Sequence, residues 1–471
     1  MARSILLVTI AYCVACTSAG AQTAPKDHDK IWLPAVASGP ARSTARRFTL
    51  DSTKTYTLSE LVDVAEEHNP ETRVAWEQAK RQAAAVGVAR SALFPILAAK
   101  AVGESLRQRV LLNTEFLQQT LGLFQSTVEL SYTIFDFNAR EDEVARAKAA
   151  LRALNFSFNN THLQIIYRVA EAYYDVLDAT GQLDAAQANL QNASTVQQAS
   201  EARLMNGLAT LPDVLEARSA SAQANYELIN TKGNRLIALG NLANATGAYP
   251  TSDIHVQPIE EVSLPGPLSE TVEDAIGRAF RDRPDLLSAA ERIQAARNSV
   301  RRARSAFQPT LDLDGDAGWA NSYGQQKPLP GVFGRGNIWD VYLTLRWNLF
   351  EGGRRRSDLA GAEAEQNQAE AEFDTLEDNA ENQVWTAYVK LQTAYAQQQA
   401  AVALLEASTT SYNAAIQAYK FGVRNLLDVV AAQRALAVAR SEDVTARTQL
   451  LRQTATLAFS TGELLKAARH P

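Results

Sequence analysis

Four stretches of the chain alternate between apolar and polar residues, and they come in two pairs. Over Thr310–Trp319, Leu311, Leu313, Gly315, Ala317 and Trp319 fall on one side, and Thr310, Asp312, Asp314 and Asp316 on the other. Further on, Trp339, Val341, Leu343, Leu345, Trp347 and Leu349 alternate with Asp340, Tyr342, Thr344, Arg346 and Asn348. In the earlier pair, Val128, Leu130, Tyr132 and Ile134 alternate with Thr127, Glu129, Ser131 and Thr133, and Ile96–Arg107 keeps the pattern more weakly. A period of two sends successive side chains to opposite faces of a strand. About ten such residues with aromatics toward the ends fit a transmembrane β-strand. A half-buried strand of a soluble sandwich alternates in the same way, so pattern alone leaves both open. The expected strands cover about 96–108, 124–136, 309–320 and 338–350. The stretches between paired strands, Val110–Gly122 and the Gly- and Pro-containing Asn321–Asn337, read as extracellular loops.

The remaining periodicity is helical. A helix is expected from Thr57–Leu58, and another near Leu268–Glu270. Each is interrupted at a proline, Pro70 and Pro284, because proline restricts the residue before it. After each strand pair comes a proline-free stretch rich in Ala, Gln, Glu and Leu, Arg140–Met205 and Arg355–Phe421. Its apolar positions step by three and four (Leu163, Ile166, Ala170, Tyr173, Leu177, and again Val384, Ala387, Leu391, Ala394). At 1.5 Å per residue, some 65 residues span about 100 Å, a length typical of coiled-coil arrays. Each long helix is expected to stop at a glycine, Gly207 or Gly422, and to restart at an aspartate, Asp213 or Asp428. The return helices run to Gly247 and Gly462.

These elements occur twice in the same order. Asn69-Pro70 answers Arg283-Pro284, the run ARSA at Ala89–Ala92 recurs at Ala303–Ala306, and Pro95 answers Pro309, all 214 positions on. At an offset of 215, Phe135 pairs with Phe350, Arg140 with Arg355, Tyr173 with Tyr388, Gly207 with Gly422, Asp213 with Asp428, and Gly247 with Gly462. A register held this long marks a tandem duplication. The repeats are expected at 56–250 and 268–465, joined by a linker over 251–267, with a linker or extension over 22–55 and a tail at 466–471.

Composition changes the picture at one end only. Ile5–Cys16 is apolar, follows Arg3 and precedes Ser18-Ala19-Gly20-Ala21, the pattern of a secretory signal cleaved after Ala21. Both cysteines, Cys13 and Cys16, lie inside it, which leaves acylation of Cys16 as a second reading. A net charge of −6 without a basic block points away from nucleic acid. The five histidines have no ligand-type spacing, and no nucleophile–base or metal constellation stands out, so neither cofactor nor enzyme chemistry is expected. The secretory signal favours the outer membrane over a soluble sandwich. Four strands cannot close a barrel, and lipid does not tolerate an open sheet edge. The strands must then be shared among copies, although this arithmetic does not fix their number.

The order of elements resembles the TolC family of outer-membrane efflux proteins. The resemblance rests on YTLSELVDVAEEHNPE, ARSALFP, LSYTIFDFNAR with LRWNLFEGGRR, NGLATLPDVLEA with FGVRNLLDVVAAQ, and NATG with STGEL, over Tyr56–Leu465. It implies a mainly α protein with membrane β: a homotrimer whose twelve-stranded β-barrel continues as an α-helical periplasmic tunnel. It implies the channel of a tripartite efflux or type I secretion system, with a periplasmic adaptor, an inner-membrane transporter of RND, ABC or MFS type, and outer-membrane lipid as partners. By the same resemblance Asp428 is a gate aspartate, and Arg424 and Asp213 are linked across neighbouring hairpins in the closed state. Gly207, Leu208, Gly422 and Val423 match the tips that meet the adaptor. The plainer reading is that the aspartates cap helices and the glycines make turns. Ala431 stands where some members carry a second acid, and Pro212 replaces a hydroxyl residue of some relatives. A secreted coiled-coil scaffold or adhesin with a membrane-anchoring β-region is the rival reading, although it would not need two Gly-x₅-Asp hairpins in register.

Overall fold

Two strand pairs from distant parts of the chain meet in one sheet. The computed structural model describes residues 50–51, 53–112, 115–250 and 254–464. These lie in one of two units, the one running from Phe48 to Pro471. The expected signal at 1–21, Cys16, most of the 22–55 extension and the 466–471 tail fall outside the described residues.

The first repeat comprises β1 (Thr55–Tyr56), α1 (Leu58–His68), α2 (Pro70–Ser91), β2 (Ile96–Leu112), β3 (Glu115–Phe135), α3 (Ala139–Met205) and α4 (Leu211–Thr246). After β4 (His255–Val256) and a 3₁₀ turn at Ile259–Glu261, the second comprises α5 (Val272–Asp282), α6 (Pro284–Ser305), β5 (Thr310–Gln326), β6 (Val332–Arg346), α7 (Arg354–Lys420) and α8 (Leu426–Ser460). Both long helices have 67 residues, and α7 begins and ends 215 positions after α3. Thr57 caps α1 in a reciprocal box with Glu60, and Asn69 caps α2 through Glu71 N–H at 2.9 Å, so the break before Pro70 is itself a helix start. The second repeat opens later than its apolar pattern suggests: Thr271 is the cap, its hydroxyl accepting from Asp274 N–H, and Leu268–Glu270 lie outside the helix.

The sheet order is β2-β3-β5-β6, every neighbour antiparallel. Its strands overrun the expected bounds at the ends away from the helices, whereas β6 stops at Arg346 and leaves Trp347 and Leu349 outside the strand. Val110 pairs with Leu117, Gly122 with Ser105, and Tyr323 with Phe333, so most of both expected loops is strand. The segment between β5 and β6 is only Lys327–Gly331. Strict alternation fails in these overruns, because a strand that leaves an apolar environment keeps its ladder while losing its hydrophobic alternation.

Alternation and register together sort the faces. One face carries Leu97 and Ala99 on β2, Phe124, Val128 and Leu130 on β3, Leu311, Leu313, Ala317 and Trp319 on β5, and Trp339, Val341, Leu343 and Leu345 on β6. Trp339, Val341, Leu343 and Leu345 are all exposed, an unpaired apolar wall. The other face carries Glu129, Asp312, Asp314, Asp316 and Asp340. Lys100 Nζ lies 2.8 Å from Glu129, and the Thr133 hydroxyl donates to Asp312 at 2.8 Å.

Alpha-helical packing centres on α3, which touches α1, α2, α4, α6 and α8, while α7 packs on α5, α6 and α8. Helices α2 and α4 therefore flank one side and α7 the other. Both flanks present uncovered apolar side chains: Trp76 and Val88 on α2, Tyr226, Ile229 and Ile237 on α4, and Trp385 and Val402 on α7. The stretch expected as a free inter-repeat linker is partly built into the core. β4 pairs parallel with β1, and Ile254 and Ile259 are buried with Tyr56, Leu61, Val169, Tyr173 and Leu242.

Candidate functional site

The two hairpin turns are built alike at the backbone. Gly207 (φ +70°) and Gly422 (φ +77°) take the left-handed conformation that other residues adopt at a cost. Leu208 N–H returns to Arg203 O at 2.8 Å and Gly207 N–H to Leu204 O at 2.9 Å. Val423 N–H to Ala418 O (2.9 Å) and Gly422 N–H to Tyr419 O (3.0 Å) repeat the pattern, which closes both helix ends as Schellman motifs.

Neither aspartate is the N-cap residue expected of it; each sits at the third position of its return helix. Thr210 is the cap of α4. Asp213 Oδ2 accepts from Thr210 N–H at 2.9 Å and from its hydroxyl at 2.7 Å, and the Thr210 hydroxyl accepts Asp213 N–H in return. The Thr210 hydroxyl, then its backbone N–H, hold the Asp213 carboxyl below the usual carboxylate range. In α8 the cap is Asn425, whose side-chain oxygen accepts Asp428 N–H at 2.9 Å, and no reciprocal bond forms. The Asp428 carboxylate instead lies 3.7 Å from Arg424 on its own helix end. One aspartate is committed to a cap; the other remains half exposed.

Within the protomer, Arg424 pairs with Asp428 and not with Asp213. The charge beside Asp213 is Arg203, which sequence reasoning missed. Its guanidinium lies over the Tyr419 ring at 4.6 Å and donates to Tyr419 O at 2.7 Å, tying the end of α3 to the end of α7. Its counterpart 215 positions later is Ala418, so the second hairpin has no cation at that place. Around these polar links the tips expose apolar side chains: Met205, Leu208 and Leu211 on one hairpin, and Phe421 (82% exposed), Val423 (78%) and Leu427 on the other.

The family model for "Outer membrane efflux protein" matches the chain twice, over residues 61–248 and 275–463, once per repeat. Protein CyaE of Bordetella pertussis is 29% identical over 414 residues, covering 86% of this chain and 84% of that protein. Among solved structures, the outer-membrane channel OprN superposes with a TM-score of 0.76 at 20% identity, covering 86% of this chain and 90% of its own. The Campylobacter jejuni CmeC outer membrane channel follows at 0.72 and 19% identity, covering 86% and 85%. With a helix–strand–hairpin unit given twice and a family match on each copy, the chain belongs to the outer membrane efflux protein family.

Proposed function

We propose that the chain forms a homotrimeric outer-membrane export channel, in which three four-stranded sheets close a twelve-stranded barrel and the helical hairpins continue it as a periplasmic tube. The observation that carries this reading is the sheet itself. Its edges, β2 and β6, run in opposite directions, so β6 of one copy can pair antiparallel with β2 of the next and leave no edge in lipid. Two copies would give eight strands, an interior that side chains fill; three give twelve and room for an aqueous passage. The apolar face then meets lipid and the carboxylate face lines the lumen. The same closure sets the α7 flank of one copy against the α2 and α4 flank of the next, covering their apolar side chains.

The tube would bridge most of the aqueous gap below the membrane, since each 67-residue helix is about 100 Å long. Its far end is formed by the hairpin tips, and we assign these the periplasmic mouth. Three Asp428 carboxylates around the axis make an acidic ring that favours cations. Between copies, Arg424 of one hairpin links to Asp213 of the neighbouring one when the mouth is closed, and Arg203 adds a link inside each copy. The exposed apolar tips, with Leu208 and Val423 beside their glycines, would receive a periplasmic adaptor that couples the channel to an inner-membrane transporter of RND, ABC or MFS type. Purification from the outer membrane in detergent, followed by planar-bilayer recording, tests the reading. Trimers that open discrete conducting steps are expected; a soluble periplasmic monomer would overturn it.

A further inference from the structure

The apolar face of the sheet carries a charge pattern of its own. Register places the odd-numbered residues of β2, β5 and β6 and the even-numbered residues of β3 on that face. Among the described residues of the four strands, the charged ones there are Arg107, Arg109 and Arg335, and every aspartate and glutamate lies on the opposite face. All three arginines are exposed. Arg107 Nε donates to the Thr120 hydroxyl at 3.3 Å, and none of the three enters an ion pair among the described residues.

Their height on the sheet is well defined. Arg107 stands ten positions from Leu97 and Arg335 ten from Leu345, the residues of that face nearest the helices on β2 and β6. At about 3.3 Å per residue and a tilt near 40°, ten residues climb about 25 Å, the height of a barrel's apolar band. The arginines therefore stand where hydrocarbon gives way to headgroups. They also stand on the two edge strands. The hairpins match in register, since Val110 pairs with Leu117 as Gly324 pairs with Val332, 214 and 215 positions on. Gly122 of β3 lies opposite Tyr323 of β5. Closing β6 on the next copy's β2 in that same register sets Asn337 opposite Arg109 and Trp339 opposite Arg107. Arg335 is then a diagonal neighbour of Arg109 on the same face, about 7–8 Å away. Three guanidinium groups with no acid among them meet at each seam, beside a low-dielectric layer that strengthens their mutual repulsion. Such a cluster calls for an anion.

We propose that each seam between copies binds a phosphate of the phosphorylated glycolipid in the outer leaflet, held by Arg335 of one copy and by Arg107 and Arg109 of the next. The inference rests on closure through β6 and β2 and on helices that point into the periplasm. With the helices on that side, the arginine end of the sheet faces the outer leaflet. At the other boundary, where the same face ends in Leu97 and Leu345, the strands carry no charge on it. Arginine suits the task, because its planar fork matches two phosphate oxygens at once. Trp339, opposite Arg107, presents an apolar ring at the level where the acyl chains begin. The site is complete only where two copies meet, so bound glycolipid staples the trimer.

The test uses trimers extracted from the outer membrane in detergent and stripped of lipid. Native mass spectrometry counts bound lipid, and the temperature at which the trimer dissociates on a gel reads the stapling. Bisphosphorylated lipid A is expected to bind at up to three copies per trimer and to raise that temperature by several degrees. Lipid A freed of its phosphates, phosphatidylglycerol and inorganic phosphate should each shift it far less. Combining Arg107→Gln, Arg109→Gln and Arg335→Gln should abolish the shift, and the corresponding triple change to lysine should retain only part of it. If the glutamine triple variant forms no trimer, Arg109→Gln alone should lose most of the shift. An equal response to phosphatidylglycerol or to dephosphorylated lipid A, or a shift that survives loss of the arginines, overturns the site. Ser105→Cys with Val341→Cys, opposite each other in the same register, tests the seam itself through a short thiol crosslinker. Crosslinked trimers that ignore lipid A overturn the site and leave the barrel standing. Absence of crosslinks between copies overturns the closure, and the site with it.

Discussion

Asp213 and Asp428 occupy the same place in the two repeats but not the same state. Asp213 closes a box with Thr210, whereas the Asp428 carboxylate accepts nothing from its cap and faces Arg424 at 3.7 Å. Neutralising Asp428 as Asp428→Ala should chiefly reduce cation preference, read as a shift of reversal potential in a salt gradient. Combining Arg424→Ser with Asp213→Ala should raise single-channel conductance. An exposed pair contributes about 1 kcal/mol or less, but three copies change at once. Unchanged selectivity and conductance in intact trimers would leave these residues only their helix-start role. That role has its own signature. Because the folded Asp213 carboxyl is held low, its contribution is complete above the ordinary carboxylate range and is lost as pH falls through the depressed value. Corrected for the intrinsic exchange rate, protection of the first-turn α4 amides should thus hold at pH 5 and fall only in stronger acid. Thr210→Ala, removing a cap contribution of about 1 kcal/mol, should expose them at both. The glycine turns and the acid positions were legible from the repeat, while the identity of the caps depended on backbone geometry three residues away. Arg203 depended on a contact with Tyr419, 216 positions on, that no local pattern announces.

Helices were the most legible elements because their signals are redundant. Uninterrupted periodicity, absent proline and a glycine stop fixed α3 and α7 to within a residue. Strand existence and facing were legible for the same reason, but strand length was not: outside an apolar layer the backbone ladder persists without a side-chain code. The corrected boundaries sharpen the topology. A tag inserted within Lys327–Gly331 should be reached by protease on intact cells, and one at Asn206 should not; the reverse pattern would invert the orientation. Facing gives a second check. Val341→Arg or Leu343→Arg on the apolar face should cost about 2–4 kcal/mol near the midplane and deplete assembled trimer on a heated gel. Asp316→Asn, on the opposite face, should leave assembly intact.

For the whole molecule, the duplication was the strongest statement the sequence made, and the two family matches fall one on each copy. What the sequence could not give was how the copies are joined, since the pairing of β3 with β5 brings together residues such as Val128 and Ala317 from different repeats. That junction joins the second strand of one repeat to the first strand of the next. Closure through β6 and β2 would join the same two kinds of strand between protomers. The barrel wall then behaves as a hexamer of hairpins whose neighbours are covalently fused at every other joint, and its shape follows a quasi-sixfold axis. Its charge does not. Asp312, Asp314, Asp316 and Asp340 have Ala98, Lys100, Val102 and Gln125 as their counterparts in the first repeat. Fusion frees each half to diverge without breaking closure, and here the second half carries most of the acid. Acid in the first half stands at other positions, Glu104, Glu115 and Glu129 with Lys100 among them, so the charge pattern would repeat three times around the axis and not six, giving a passing solute a corrugated field where an unfused ancestor of identical hairpins could present only a sixfold one.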